Sequence, residues 1–394
     1  MAMIRSLSEV IDHYREKGDL SREEEALITR YLFERQSERG TTIPSMVART
    51  HELMTASRHL HKAGGRLDLV TTQGVLETVI GIREGGYSKN YTHRTIQTFK
   101  AFLFWCIDEG LNDQVEERKI RKIRSPGMDW HTKKSEDLLT RDEVDQVLEA
   151  CQSSRDRVII AVLYDGGFRP GELPTMTWKD MIKDDYGYRM EFITPKTGHE
   201  RFIRFTMAVP YINAWRLDYP GQVLPDSPVF LQTRGHSRDY EPLALGGIQS
   251  LFKRIRKRTG IAKLTPAIFR PTRMTHENEE GMDQTYLMMK NFGHLKTQML
   301  AVYVKPNKAH IDQVALEKAG IKKKEKEEKL GTLAPIICPE CQTMAPSGSQ
   351  WCPACGYGLT DDARSFIQNM ERAMKNPANL RAWAEYLEKK GSEE

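Results

Sequence analysis

Five side chains spread through the middle of the chain could together break and remake a phosphodiester. Arg169 lies in Asp-Gly-Gly-Phe-Arg-Pro-Gly-Glu-Leu, Lys196 in Pro-Lys-Thr-Gly-His-Glu-Arg and Arg270 in Ile-Phe-Arg-Pro-Thr-Arg; His294 follows Phe-Gly, and Tyr303 comes nine residues later in Ala-Val-Tyr. Two guanidiniums, an ammonium and an imidazole are charged donors suited to the oxygens of a phosphodiester. The phenol is a nucleophile that needs no metal. On these residues the chain reads as an enzyme that cuts and rejoins DNA.

The elements around these residues can be read from periodicity. Thr140 is a good N-cap with Glu143 three residues on, and Val144, Val147 and Leu148 continue a helix to Cys151. Val158 to Leu163 is an apolar run that stops at Gly166-Gly167, which predicts a buried helix presenting Arg169 at its end. Tyr188, Met190 and Phe192, then Phe202, Ile203 and Phe205 across a Lys-Thr-Gly turn, predict a hairpin with Lys196 at its edge. Upstream, about Ser6 to Leu111 is helical in pattern, best over Tyr91 to Ile107, where Ile96, Phe99, Leu103, Trp105 and Cys106 are apolar.

A chain of 394 residues has room for two or three cores. The net charge is only +5, but 59 Lys and Arg residues are bunched locally, which matters for a polyanionic partner. No apolar stretch approaches a membrane span, and the first residues lack the apolar core of a signal peptide, so a cytoplasmic location is expected. Four of the six cysteines form two Cys-x-x-Cys pairs, which suits metal binding in a reducing compartment better than disulfides.

The ordered motifs resemble those of the tyrosine recombinase, or phage integrase, family. The likeness covers about Leu138 to Lys305, with Arg169-Pro-Gly-Glu172-Leu173 and Met176-Thr177-Trp178-Lys179-Asp180 similar to the first arginine box and Gly293-His294 with Tyr303 similar to the third. More loosely, Tyr91 to Gly110 resembles the family's core-binding domain. The resemblance implies that Tyr303 attacks the scissile phosphorus to give a 3′-phosphotyrosyl link and a free 5′-hydroxyl. Arg169 and Arg270 would clamp the non-bridging oxygens, Lys196 would protonate the leaving oxygen, His294 would bond the phosphate and Glu172 would hold the arginine box in place. The phenyl ester keeps the energy of the broken bond, so neither nucleotide nor Mg2+ is required.

One position departs from the pattern: the second box is usually His-x-x-Arg, and here Ala267 stands where the histidine would be. Alanine can neither accept the phenol proton nor donate to phosphate. Water or another side chain such as His294 takes the proton, or the chain is a weakened natural variant, or it is an engineered slow form. Nearby, His276 is expected to pack beneath the site, and Arg273 to be a phosphate contact or a surface charge; Tyr286 reads as a core aromatic.

Cys338-Pro-Glu-Cys341 and Cys352-Pro-Ala-Cys355 form two knuckles separated by ten residues, a pattern for tetrahedral Zn2+ in a closed, structural zinc ribbon. DNA contact, protein contact and an inert cap are all open roles for it. Two basic clusters are candidate phosphate contacts: Lys253, Arg254, Arg256, Lys257 and Arg258 just before the second box, and Arg118, Lys119, Arg121, Lys122 and Arg124 upstream.

The expected fold is mainly α with a small antiparallel sheet. Residues 1–115 form a helical core-binding domain, 116–137 a basic interdomain linker and 138–320 the catalytic domain; 321–335 is a charged tether, 336–358 the zinc ribbon and 359–394 a helical tail. Expected partners are double-stranded DNA and further copies of the chain, a tetramer on two duplexes when synapsed, with Ile311, Val314 and Leu316 as a docking helix. The ribbon leans the chain toward an archaeal or viral integrase. Two rivals share the fold: a catalytically weakened DNA-binding regulator and a type IB topoisomerase-like relaxing enzyme.

Overall fold

The computed structural model describes residues 7–129, 134–195, 198–232, 241–295, 300, 303–304 and 333–375. Lys196, the segment with Ile311, Val314 and Leu316, most of the charged tether and the end of the tail lie outside the described residues. The chain divides into two compact units, Met1–Thr132 and Lys133–Glu394. Among the described residues no helix is long and apolar enough to cross a membrane.

The first unit is helical. It comprises α1 (Leu7–Glu16), α2 (Arg22–Arg39), α3 (Ile43–Lys62), α4 (Thr72–Glu84), α5 (Lys89–Asp108) and α6 (Glu117–Lys122). The long helix expected over Tyr91 to Ile107 lies within α5, which Ser88 caps by accepting from the Tyr91 N–H. Ile96, Phe99, Phe102 and Leu103 repeat at helical spacing and are fully or almost fully buried against Tyr31, Leu53 and Ile82. The basic segment read as part of a linker is helical at its start. It folds as α6, and Ile120 and Ile123, three residues apart, anchor it in the unit's core while Arg118, Lys119, Lys122 and Arg124 stay exposed. Arg121 pairs with Glu117 and lies over Phe104.

The second unit is built around a helix that has no outer face. In α8 (Ser154–Gly166) every residue from Val158 to Gly166 is buried, as its uninterrupted apolar run predicts. Before it, α7 (Arg141–Glu149) opens on the expected capping box of Thr140 and Glu143. After it comes an antiparallel sheet ordered β1 (Ile182–Asp184), β2 (Gly187–Ile193), β3 (Glu200–Arg204). The register sets Met190 opposite Ile203 and Phe192 opposite Arg201.

In β3 the inward face is carried by Arg201 and Ile203, so Phe202, read from sequence as an apolar strand residue, points out at 52% exposure. The unit continues with α9 (Val209–Leu217), α10 (Leu245–Thr259), α11 (Phe269–Glu279) and α12 (Gln284–Phe292). Phe168, Trp178, Phe230, Phe252 and Phe269 fill the core around α8. The cysteine module carries the short ladder β4 (Ile336–Ile337) with β5 (Met344–Ala345), and α13 (Asp361–Met374) follows. The module is seated on the core around α8: Leu333 is buried in that core, Met344 packs on it, and β5 lies against α9.

Candidate active site

Two helix ends and one strand assemble the charged residues. At the end of α8, Gly167 takes a left-handed conformation, φ 58°, and the chain turns so that Arg169 opens a 3-10 turn over Pro170–Thr175. Glu172 in that turn is buried and accepts from the Arg169 main-chain N–H and from Nη1, both at 2.9 Å. Arg270 enters from the first turn of α11. It is 2% exposed and donates through Nη1 to Gly167 O at 2.7 Å and through Nη2 to Asn291 O at 2.6 Å. These carbonyls lie at the C-terminal ends of α8 and α12, where helix dipoles favour a cation.

The Arg270 guanidinium carbon stands 5.1 Å from the ring centroid of Tyr303 and 5.0 Å from that of Phe292. Its Nε is buried and has no hydrogen-bond partner among the described residues. Burial first, then the Arg201 and Arg169 charges, pushes Arg270 down to about 9. An enclosed cation with a spare donor and cationic neighbours is a place an anion would stabilise. Tyr303 itself packs on Phe292 at 5.4 Å, and its carbonyl accepts from Thr275 Oγ1 at 3.5 Å.

His294 follows a glycine for a steric reason. Gly293 ends α12 at φ 71°, and a Cβ there would lie 2.1 Å from the Glu200 carbonyl oxygen of β3. The His294 ring stacks on Phe292 at 5.7 Å and meets His199 edge-on at 4.9 Å. Gly293→Ala should cost roughly 2 kcal/mol or more, since left-handed strain adds to a backbone clash, whereas Gly171→Ala, with open space at its Cβ, should be nearly neutral. Denaturant unfolding of the two variants checks this; equal midpoints would remove the claim.

Several sequence expectations change here. Arg201, not singled out from sequence, is fully buried and reaches Glu172, Gly166 and Lys290. Parity could have found it, because it shares the inward face of β3 with Ile203. His199, also passed over, touches His294. Arg273 is not a surface charge: it is largely buried, pairing with Glu277 at 3.0 Å and Asp165 at 3.8 Å. His276 does pack beneath, 2.8 Å from Tyr164 Oη, and burial first, then Arg141 and Arg273, lowers it to about 3, so it stays neutral. Tyr286 is 36% exposed rather than core. Ala267 is exposed on the 3-10 turn Pro266–Ile268.

The α10 cluster is partly spent on its own domain. Arg258 donates to Ala150 O and Gln152, Arg256 to Leu264 O, and Arg254 lies 4.0 Å from Asp156, while Lys253 and Lys257 are exposed. The helix packs against the 3-10 turns that follow Arg169 and hold Ala267.

The sulfurs of Cys338, Cys341, Cys352 and Cys355 all lie within 4.8 Å of one another, with Cys338–Cys355 and Cys341–Cys352 at 3.6 Å. Four sulfurs about 2.3 Å from a tetrahedral ion stand about 3.8 Å apart, so the set fits a metal. Both knuckles fold alike. The N–H of Gln342 donates to Cys338 O and that of Gly356 to Cys352 O, and both donors are left-handed, at φ 58° and 75°.

Residues 137–310 match the model of the phage integrase family. Among relatives, tyrosine recombinase XerA of Pyrococcus furiosus is 26% identical over 254 residues, spanning 64% of this chain and 82% of that protein. Transposase A from transposon Tn554 of Staphylococcus aureus is 29% identical over 219 residues, 51% of this chain and 54% of its own length. Among solved structures, a lambda integrase dimer bound to a COC′ core site superposes with a TM-score of 0.54 at 19% identity, covering 71% of this chain and 94% of that one. The Tn1549 transposon integrase with a circular intermediate DNA gives 0.53 at 18% identity, covering 74% and 99%.

Proposed function

This chain belongs to the phage integrase family of tyrosine recombinases, and from that premise we propose how its own residues cut and rejoin DNA at defined sites. Tyr303 is the nucleophile. Its oxygen gives up the phenol proton to water or to another side chain such as His294 and bonds to the scissile phosphorus, the bond to the 5′-oxygen breaks, and the 3′ end stays on the enzyme as a phosphotyrosine. Lys196, which lies between β2 and β3 in the sequence, gives its proton to the departing 5′-oxygen. Arg169, Arg270 and His294 hold the non-bridging oxygens, whose charge grows in the pentacoordinate transition state.

The observation that carries this reading is the Arg270 guanidinium set 5.1 Å from the Tyr303 ring, buried and with its Nε donor unpartnered among the described residues. A phosphate oxygen between them would complete both groups. The DNA-bound dimers and tetramer among the structural neighbours support double-stranded DNA and further copies of this chain as partners, with a tetramer on two duplexes as the working assembly. Integration or excision of a mobile element, or resolution of replicon multimers, is the biological setting. Zn2+ is the ion we assign to the four cysteines, in a structural role.

Incubating the protein with a nicked candidate site, followed by a denaturing gel, tests the reading: a shifted, protease-sensitive DNA band is expected. Relaxation of any supercoiled plasmid by monomers would favour topoisomerase-like action instead. A second reading, a weakened DNA-binding regulator, rests on Ala267, and absence of any adduct would support it. Ala267→His should raise cleavage of the nicked substrate at least about tenfold, since a placed acid or base contributes on the order of 10²–10⁴. No gain, with the parent already fast, shows that this position is not a missing base.

A further inference from the structure

Arg201, which is outside the phosphate-binding set, repeats the hydrogen-bond pattern of Arg270 inside the second unit. Arg270 bonds the carbonyls of Gly167 and Asn291; one residue earlier on each helix, Arg201 bonds the carbonyls of Gly166, through Nη2 at 3.0 Å, and Lys290, through Nε at 2.8 Å. Two guanidiniums thus strap the same two helix ends as adjacent rungs. Arg201 completes its set through Nη1 to Glu172 Oε2 at 3.1 Å, and Glu172 also anchors Arg169. The Arg201 guanidinium carbon lies 5.0 Å from the Phe168 ring centroid, and the residue has no solvent exposure.

We propose that Arg201 is a positioning residue for strand cleavage, which occupies the inner rung between α8 and α12 and so fixes both Arg169 and Arg270 at the phosphate. The inference rests on reading Arg270 as a phosphate ligand. By holding the carbonyls of residues 166 and 290, Arg201 leaves those of residues 167 and 291 to Arg270, whose Nε has no partner among the described residues. By sharing Glu172 with Arg169, it sets the 3-10 turn that carries Arg169. The same arrangement gathers three guanidiniums around a single buried carboxylate, so the pocket keeps an excess of positive charge until an anion enters. Burial first, with the neighbouring Arg169 opposing Glu172, brings Arg201 itself down to about 10.

The test uses Arg201→Lys, because an ammonium keeps the charge but cannot span two carbonyls and a carboxylate in one plane. Single-turnover cleavage at saturating DNA should fall on the order of 10²-fold, the usual penalty for misplacing a reacting group by about an ångström. DNA affinity should change by less than about threefold, because many phosphate contacts set it. The decisive readout is the pair of phosphorothioate diastereomers at the scissile position. The full-length protein should prefer one diastereomer, and Arg201→Lys should move the ratio of the two rates toward unity, because the oxygen held by Arg270 is no longer singled out.

A variant that is merely less folded would lose rate while keeping the parent's ratio, and that outcome overturns the proposal, as does unchanged cleavage. If Arg201→Lys does not fold, Phe168→Leu, which removes the ring beside Arg201 and none of its hydrogen bonds, should show a smaller rate loss with the same drift of the ratio; an unmoved ratio is again fatal. Failure of the unsubstituted protein to form any adduct sinks the reading of Arg270, whereas an adduct with an Arg201-independent ratio sinks the Arg201 assignment alone.

Discussion

Tyr303→Phe should abolish the covalent protein–DNA adduct and lower cleavage at least about 10⁴-fold, the scale seen when a nucleophile is removed from an otherwise intact site. The substitution is unusually clean here. What Tyr303 contributes to packing comes from its ring, 5.4 Å from Phe292 and 5.1 Å from the Arg270 guanidinium, and from its carbonyl, which accepts from Thr275. Phenylalanine keeps all three. Folding stability and DNA affinity should therefore stay close to the parent's while chemistry disappears. A variant that still forms a protease-sensitive adduct would show that another side chain attacks, and a variant that loses DNA binding in parallel would show that the ring, not the hydroxyl, was being tested.

Removing the metal should produce the second large effect, on folding. The cysteine module buries little beyond Cys338, Cys352 and Ala345, and its β4–β5 ladder is two residues long. So small a core cannot offset the chain entropy of ordering it, and structural Zn2+ binding, roughly 10–16 kcal/mol, would supply the difference. We expect one zinc per chain by elemental analysis, and none in Cys338→Ser. Chelation should unfold the module while the core around α8 persists, because Leu333 and Met344 are edge contributors to that core. Limited proteolysis should then cut first within the cysteine module. A chelated protein whose module resists protease as before would contradict the metal assignment.

How much of this was readable from sequence depends on where each residue finds its partner. The capping box at Thr140, the buried α8 and the placing of Arg169 after Gly167 depend on neighbours within a few positions, and all three were legible. The Glu172 contact to Arg169 is likewise local, three residues apart. The helix in the basic stretch was harder to read because its charges outnumber its two isoleucines, although Ile120 and Ile123 have helical spacing and turn inward. Arg201 was hidden because its partners come from α8, the 3-10 turn and α12, far away in sequence. Arg273 failed for the same reason: its charge is answered by Asp165 on α8 as well as by Glu277 one turn on. A buried cation looks like a surface cation until its distant acceptors are known.

The account's central claim is that the phenol of residue 303 becomes esterified to a 3′-phosphate. The most direct measurement is to trap the protein on a nicked duplex, digest the DNA and the protein, and sequence the modified peptide by mass spectrometry. The predicted result is a peptide containing Tyr303 with a 3′-linked nucleotide on its oxygen, leaving a 5′-hydroxyl on the other DNA fragment. A nucleotide carried by any other residue, or a linkage through a 5′-phosphate, would contradict it.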